Sequence, residues 1–143
     1  MVKDHVDVAN RLRPVLLQLN RFLRREAHAL GITGSQATIL RLIQIAPELG
    51  ASDLAAREGV SAPAMTRYLD RMEKAGLITR ERSPDDARRV QLGLTKKGTK
   101  VVQSVRRRRT AWLAERLDRL SPRELDMLDE AAVLLAQLVE DAE

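Results

Sequence analysis

Residues 50–98 constrain the fold more than any other stretch of this chain, because two short helical patterns, a tight turn and an alternating hairpin follow one another without a break. The first pattern runs from Ser52 to Glu58 with Leu54 and Ala55 facing inward, and Gly59 supplies the left-handed residue that ends it. Ser61 can cap the next helix by accepting an amide hydrogen bond, and Pro63 falls in its first turn, where a missing N–H costs nothing. Met65, Leu69 and Met72 then recur at i, i+4 and i+7 as one buried stripe. The opposite face carries Ala62, Ala64, Thr66, Arg67, Asp70, Arg71 and Lys74. Small and hydroxylic residues at the start of such a helix let it approach base edges, while arginines reach phosphates or guanine.

Gly76 stops that helix, Leu77–Glu81 alternates as a strand, and Val90–Leu94 returns. Between them Arg82–Arg89 forms a polar loop around a turn-forming Pro84-Asp85 pair. Arginine at a hairpin tip suits the narrow minor groove of DNA, where the potential is most negative; the alternative is that these arginines are solvated turn residues. Together the elements predict a mainly α protein with a small β-hairpin wing, a winged helix-turn-helix.

The run Val60–Arg67, followed by Leu69–Ile78, resembles the recognition segment of the multiple antibiotic resistance regulator (MarR) family. Asp86-Ala87-Arg88 and Leu94-Thr95-Lys96-Lys97-Gly98 resemble that family's wing signature, and the likeness extends over nearly the whole chain. It implies a homodimeric transcriptional regulator that places the second helix in the major groove and each wing in the adjacent minor groove. Residue by residue, it makes Arg88 the minor-groove contact and Asp86 its salt-bridging orienter. Two positions depart from the pattern. Ser83 stands where the family often has an acid, and Pro14 interrupts the first helix.

The flanking segments read as helices. The first is expected from about Asp7 to Leu30, closed by Gly31; Leu12, Val15, Leu16, Leu19, Phe22, Leu23, Ala27 and Leu30 make a stripe wider than one neighbour needs. Pro14 lies inside it, so the helix either starts near Arg13 or kinks there. Thr33-Gly34-Ser35-Gln36 is a capping-box pattern opening a helix that closes before Pro47, and Thr95 caps a long helix through Leu117. Ser121-Pro122-Arg123-Glu124 starts a last helix, whose apolar face is Leu125, Leu128, Ala132, Leu135, Leu138 and Val139. Terminal helices this apolar would leave a patch on a monomer, which a symmetric dimer removes; the alternative is that the three helices cover one another within a subunit. The division expected is a single domain over residues 1–143, with 1–32 and 99–143 as N- and C-terminal dimerisation helices and 33–98 as the DNA-binding region.

Charge agrees with this division. The 143 residues carry a formal net charge of +5, but residues 1–117 hold 23 basic and 12 acidic side chains, a net of +11, and residues 118–143 hold 2 and 8, a net of −6. A basic body suits an anionic partner, and the acidic last segment is a poor DNA surface. With no cysteine, disulfides and thiol redox sensing are excluded. No apolar run has membrane-spanning length and Met1–Asn10 lacks a signal-peptide core, so a cytoplasmic protein without membrane partners is expected. His5 and His28 share no metal-ligand spacing, and no Ser-His-Asp pattern, phosphate loop or nucleophile elbow occurs. Neither an enzyme nor a bound cofactor or metal is expected.

The candidate DNA-binding residues are therefore Ser61, Ala62, Pro63, Ala64, Thr66, Arg67 and Arg71 on the second helix, with Asp86, Arg88 and Arg89 on the wing. Tyr68, beside the buried stripe, can either pack or offer its hydroxyl to a phosphate. The run Arg106–Arg109 covers most of a helical circumference, and Val102, Val105, Arg109 and Trp112 share one row, which turns Arg109 toward the apolar seam. A buried guanidinium needs a partner, expected to be an acid across the helices, with a ligand carboxylate as the alternative. Phe22 and Trp112 read as core; the alternative is that with Arg109 they line a site for a small-molecule effector, where the resemblance would put an inducer. The function expected is sequence-specific regulation of transcription by a dimeric repressor on double-stranded DNA at a pseudo-palindromic promoter site. The competing classes are a nucleoid or RNA-binding protein without sequence preference, and a winged helix turned to protein interaction.

Overall fold

The structure is a computed structural model of the 143-residue chain, and it describes residues 3–86 and 88–142. Among the described residues, six α-helices and one hairpin follow in the order α1 (His5–Arg25), a 3-10 turn (Glu26–Leu30), α2 (Gly34–Ile45), α3 (Ala51–Glu58), α4 (Ala62–Lys74), β1 (Ile78–Arg82), β2 (Val90–Leu94), α5 (Lys96–Leu117) and α6 (Pro122–Glu140). Residues up to Arg109 form one compact unit and those from Thr110 onward a second.

The first unit is built on one apolar core. Ile39, Leu40 and Ile43 of α2, Leu54 and Ala55 of α3, and Met65, Leu69 and Met72 of α4 are buried together with Leu77, Ile78, Leu92 and Val105. The i, i+4, i+7 stripe of α4 is thus the face that seats the reading helix on the body. The strands pair antiparallel, with Ile78 opposite Leu94, Arg80 opposite Leu92 and Arg82 opposite Val90. Only Ile78 and Leu92 within those strands are fully buried, so the hairpin is anchored at its base.

Local signals in the sequence are used as written. Thr33 and Gln36 exchange the two hydrogen bonds of a capping box at the start of α2, at 2.9 and 3.1 Å. The Ser61 hydroxyl accepts from the Ala64 amide, and Gly59 and Gly76 take the positive φ values of 64° and 74° that end α3 and lead out of α4. Ser121 and Glu124 cap α6 reciprocally, which holds the Glu124 carboxyl below the usual carboxylate range through hydrogen bonds from the Ser121 amide and hydroxyl.

The first helix departs from expectation at both ends. It begins at His5, capped by the Asp4 carboxylate on the Val6 amide at 3.2 Å, and continues through Pro14 as one helical segment, so a start near Arg13 is ruled out. Asn10, whose carbonyl loses its partner at Pro14, is exposed, so water can replace the missing donor. At the other end the α-helix stops at Arg25 and tightens into the 3-10 turn instead of continuing to Leu30, with Ala27 buried and the Gly31 amide donating to the His28 carbonyl. The first strand begins at Ile78 instead of Leu77, because Leu77 is still tied to α4 through its amide on the Met72 carbonyl at 2.9 Å.

Neither α1 nor α6 contributes a fully buried residue among those described. Val15, Leu16 and Leu17 of α1 are exposed, as are Met127, Leu134, Leu138 and Val139 of α6. No helix among the described residues is long and apolar enough to cross a membrane.

Candidate nucleic-acid interface

The exposed side of α4 presents Ser61, Ala62, Pro63, Thr66, Arg67 and Arg71 to solvent, while Met65, Leu69 and Met72 hold the other side in the core. Ala64 is half-buried, so it belongs less to the open face than its place in the sequence suggests. Thr66 donates its hydroxyl hydrogen to the Ala62 carbonyl at 3.1 Å, leaving its lone pairs outward. Arg67 and Arg71 lie one turn apart on that side, a spacing that lets two guanidiniums follow a groove edge. Tyr68 is half-buried and packs against the core.

Arg88 and Arg89 are exposed in the loop that joins the strands. The orienting role implied for Asp86 takes a different form from a guanidinium salt bridge. Its carboxylate accepts from the Arg88 backbone amide at 3.0 Å and its carbonyl accepts from the Arg89 amide at 3.0 Å. Asp86 thereby closes the turn in the manner of an aspartate that binds its own chain two residues on, and it sets the Arg88 backbone while the side chain stays in solvent. The Ser83 amide donates to the Arg89 carbonyl at 2.8 Å and completes the closure. Ala87 lies outside the described residues.

The root of the wing explains the Leu94–Gly98 motif. The Thr95 amide donates to the Leu77 carbonyl at 3.1 Å and its hydroxyl to the Gly76 carbonyl at 2.6 Å, while Lys97 Nζ donates to the Ala75 carbonyl at 2.8 Å. The exposed carbonyls at the end of α4 are thus capped by the start of α5. Gly98 is required by the closeness of that junction, since a Cβ there would lie 2.0 Å from the Leu77 carbonyl oxygen. Thr95 also accepts from the Gly98 amide at 3.0 Å, which begins α5.

One residue of the site was not visible from sequence spacing. Arg80 Nη2 meets Asp70 Oδ1 at 2.6 Å and its Nε stands 4.0 Å from Glu73 Oε2, so the wing and α4 are joined by charge as well as by core. The signal was there: Arg80 occupies the inward phase of the strand, two residues after buried Ile78, where alternation calls for an apolar side chain.

The residues expected at an effector site have these partners. Arg109 Nε donates to the Leu23 carbonyl at 2.9 Å, so its partner is a backbone oxygen instead of the acid expected across the helices. Burial, with Arg24 nearby, lowers the pKa of that guanidinium. The acid goes to its neighbour: Arg108 Nη2 pairs with Glu26 at 3.3 Å. Phe22 and Trp112 lie outside the buried core; each is half-buried, Phe22 beneath the guanidiniums of Arg21 and Arg25 at 5.5 and 5.6 Å, and Trp112 beneath Arg116 at 3.6 Å. An open cleft of about 400 Å³ lies between the end of α1 and the start of α2, lined by Arg21, Arg24, Arg25, His28 and the residues Thr33–Ser35.

A helix-turn-helix whose second helix shows a small, hydroxylic and arginine-bearing face, with a basic hairpin clamped to its end, defines a winged helix-turn-helix DNA-binding protein. The comparisons agree. Residues 32–90 match the model of the MarR family. An HTH-type transcriptional regulator of Mycobacterium bovis, itself uncharacterized, is 32% identical over 99% of both chains. The homoprotocatechuate degradative operon repressor of Escherichia coli is 30% identical over 63% of this chain and 66% of its own. Among solved structures, a putative transcriptional regulator of Pseudomonas aeruginosa superposes with a TM-score of 0.80 at 29% identity, covering 97% of this chain and 98% of that one. The chain belongs to the MarR family of transcriptional regulators.

Proposed function

We propose that this regulator is a homodimeric repressor that occupies a pseudo-palindromic promoter site, with α4 of each protomer in the major groove and each wing in the flanking minor groove. The observation that carries the reading is the exposure of Ser61, Ala62, Pro63, Thr66, Arg67 and Arg71 on α4 and of Arg88 and Arg89 on the wing, on a body of strongly positive charge. Ala64 sits at the edge of the α4 face, and Asp86 serves the wing by shaping the turn. Residues 33–98 act as the reader, and 1–32 with 99–143 as the dimerisation helices. The exposed apolar residues of α1 and α6 support a second copy of the chain as their cover, and two-fold symmetry then presents two readers about one helical turn, roughly 34 Å, apart. Repression is favoured by the E. coli relative, whose name is that of a repressor. Release by a small anionic effector is part of the reading, supported by the arginine-lined cleft beside α2 more than by Phe22, Arg109 and Trp112. Such a protein works in the cytoplasm on double-stranded DNA.

Affinity selection on variants tests the two modes of reading. Arg67→Ala, if Arg67 reads a base, costs about 1–3 kcal/mol and relaxes preference at one position per half-site. Arg88→Ala weakens binding to many sequences together and loses preference only in the flanks. Unchanged affinity and flank preference for Arg88→Ala refute the wing contact. A sedimentation experiment that finds only the 16.1 kDa species at micromolar concentration refutes the dimer.

A further inference from the structure

We propose that Arg80 is the positioning residue that fixes the wing at one angle to the recognition helix, so that the two parts of the DNA surface bind as a unit. The inference rests on the reading that both α4 and the wing touch DNA. A two-stranded hairpin is marginal by itself and takes its rigidity from what it packs against. In this wing, none of the described residues from Glu81 to Gln91 is buried, and the rung formed by Arg80 and Leu92 is the last before the tip that includes a buried residue. On one strand of that rung the hold is apolar. On the other it is the Arg80 guanidinium, which meets Asp70 Oδ1 at 2.6 Å and approaches Glu73 Oε2 at 4.0 Å. Asp70 and Glu73 are three residues apart on α4, so the guanidinium is hydrogen-bonded to one carboxylate and lies within the field of the second.

Two features argue that this contact is more than a surface ion pair. The Arg80 side chain is only 24% exposed, and its Nε is buried without a hydrogen bond, so the guanidinium has left water for this place. An apolar residue on that inward phase would fill the space more simply but would lack the directional bond to Asp70 that gives the arginine one seat on α4. The pair also answers a problem on the DNA side. Asp70 shares the exposed side of α4 with Arg67 and Arg71, where a free carboxylate repels phosphates; Arg80 neutralises it from behind.

A double-mutant cycle on the full chain with a duplex carrying its selected site tests the proposal. The proteins are the parent, Arg88→Ala, Arg80→Met and the double variant, with affinity read by fluorescence anisotropy and folding by thermal denaturation. Arg80→Met is expected to melt cooperatively and to bind roughly tenfold more weakly, the size of coupling found between groups in contact. Arg88→Ala weakens the parent but changes the Arg80→Met protein less than about twofold, because a loosened wing has already lost its groove contact. Arg80→Lys, which keeps a charge for Asp70, recovers part of the Arg88 effect; a role confined to stability gives no such recovery. If Arg88→Ala costs the same factor in both backgrounds, Arg80 does not position the wing and the proposal is overturned. If Arg88→Ala leaves even the parent unchanged, the wing is not a DNA contact and the underlying reading fails first. Should Arg80→Met not fold, Asp70→Asn breaks the pair from its exposed side and the same cycle decides.

Discussion

Gly98→Ala is expected to destabilise the protein even though alanine is the better helix former. The gain from replacing glycine within a helix is about 1 kcal/mol. Against it stands the new Cβ, 2.0 Å from the Leu77 carbonyl oxygen, where ordinary contact begins at 3.4 Å. The carbonyl has nowhere to go. Leu77 is buried, its amide is bonded to Met72 and its oxygen accepts from Thr95. The start of α5 must move away instead, which stretches the Thr95 bonds to Leu77 and Gly76 and the Lys97 bond to Ala75. Overpacking of this kind costs about 1–3 kcal/mol, and the three stretched hydrogen bonds, weakened but not broken, together about 1 kcal/mol more. The net is a loss of roughly 2 kcal/mol, which for a chain of this size lowers Tm by about 4–8 °C. Thermal denaturation followed by circular dichroism measures it, and DNA affinity should fall as well because the displaced junction is the root of the wing. A Gly98→Ala protein that melts at or above the parent temperature refutes the account of this junction.

Other outcomes follow from particular contacts. Arg109→Ala leaves the Leu23 carbonyl without its side-chain donor and should lower stability by about 1–3 kcal/mol in denaturant titrations, with DNA affinity of the folded protein little changed. The Glu124 carboxyl has its pKa depressed by Ser121, so its stabilising contribution is present above the ordinary value of 4.5 and is lost as pH falls through the lower folded value. Comparing the parent with Ser121→Ala in acid titrations should therefore show their stability difference shrinking below that pH; a constant difference contradicts the assignment. Because the chain has no cysteine, peroxide and thiol oxidants should not release DNA through disulfide chemistry, which a mobility-shift assay checks.

Much of the fold is legible in the sequence wherever the deciding physics is local. The Ser61 and Ser121 caps, the Gly59 and Gly76 stops and the Met65–Leu69–Met72 stripe depend on neighbours within a few residues, and the structure uses each as its chemistry suggests. The effect of Pro14 is not legible from its position alone, because the cost of proline inside a helix depends on whether the orphaned carbonyl can reach water. Partners of long charged side chains were harder. Nothing in the spacing says that Arg109 meets a carbonyl on α1 while Arg108 takes the acid, or that Asp86 holds an amide instead of a guanidinium. Those choices depend on how distant segments come together. The Leu94–Gly98 motif lies between these cases: its pattern is visible, but its reason is the closeness of α5 to Leu77, which only the tertiary structure supplies.

The central claim is sequence-specific recognition of DNA by a symmetric pair of readers. Selection of bound fragments from genomic DNA, followed by footprinting of the selected site against unrelated competitor DNA, tests it most directly. The account predicts a protected site with two-fold symmetry, half-site centres about 34 Å apart, and a preference of roughly 10³-fold or more over the competitor. Equal competition by unrelated DNA, or protection without symmetry, contradicts it and returns the chain to the class of non-specific nucleic-acid binders.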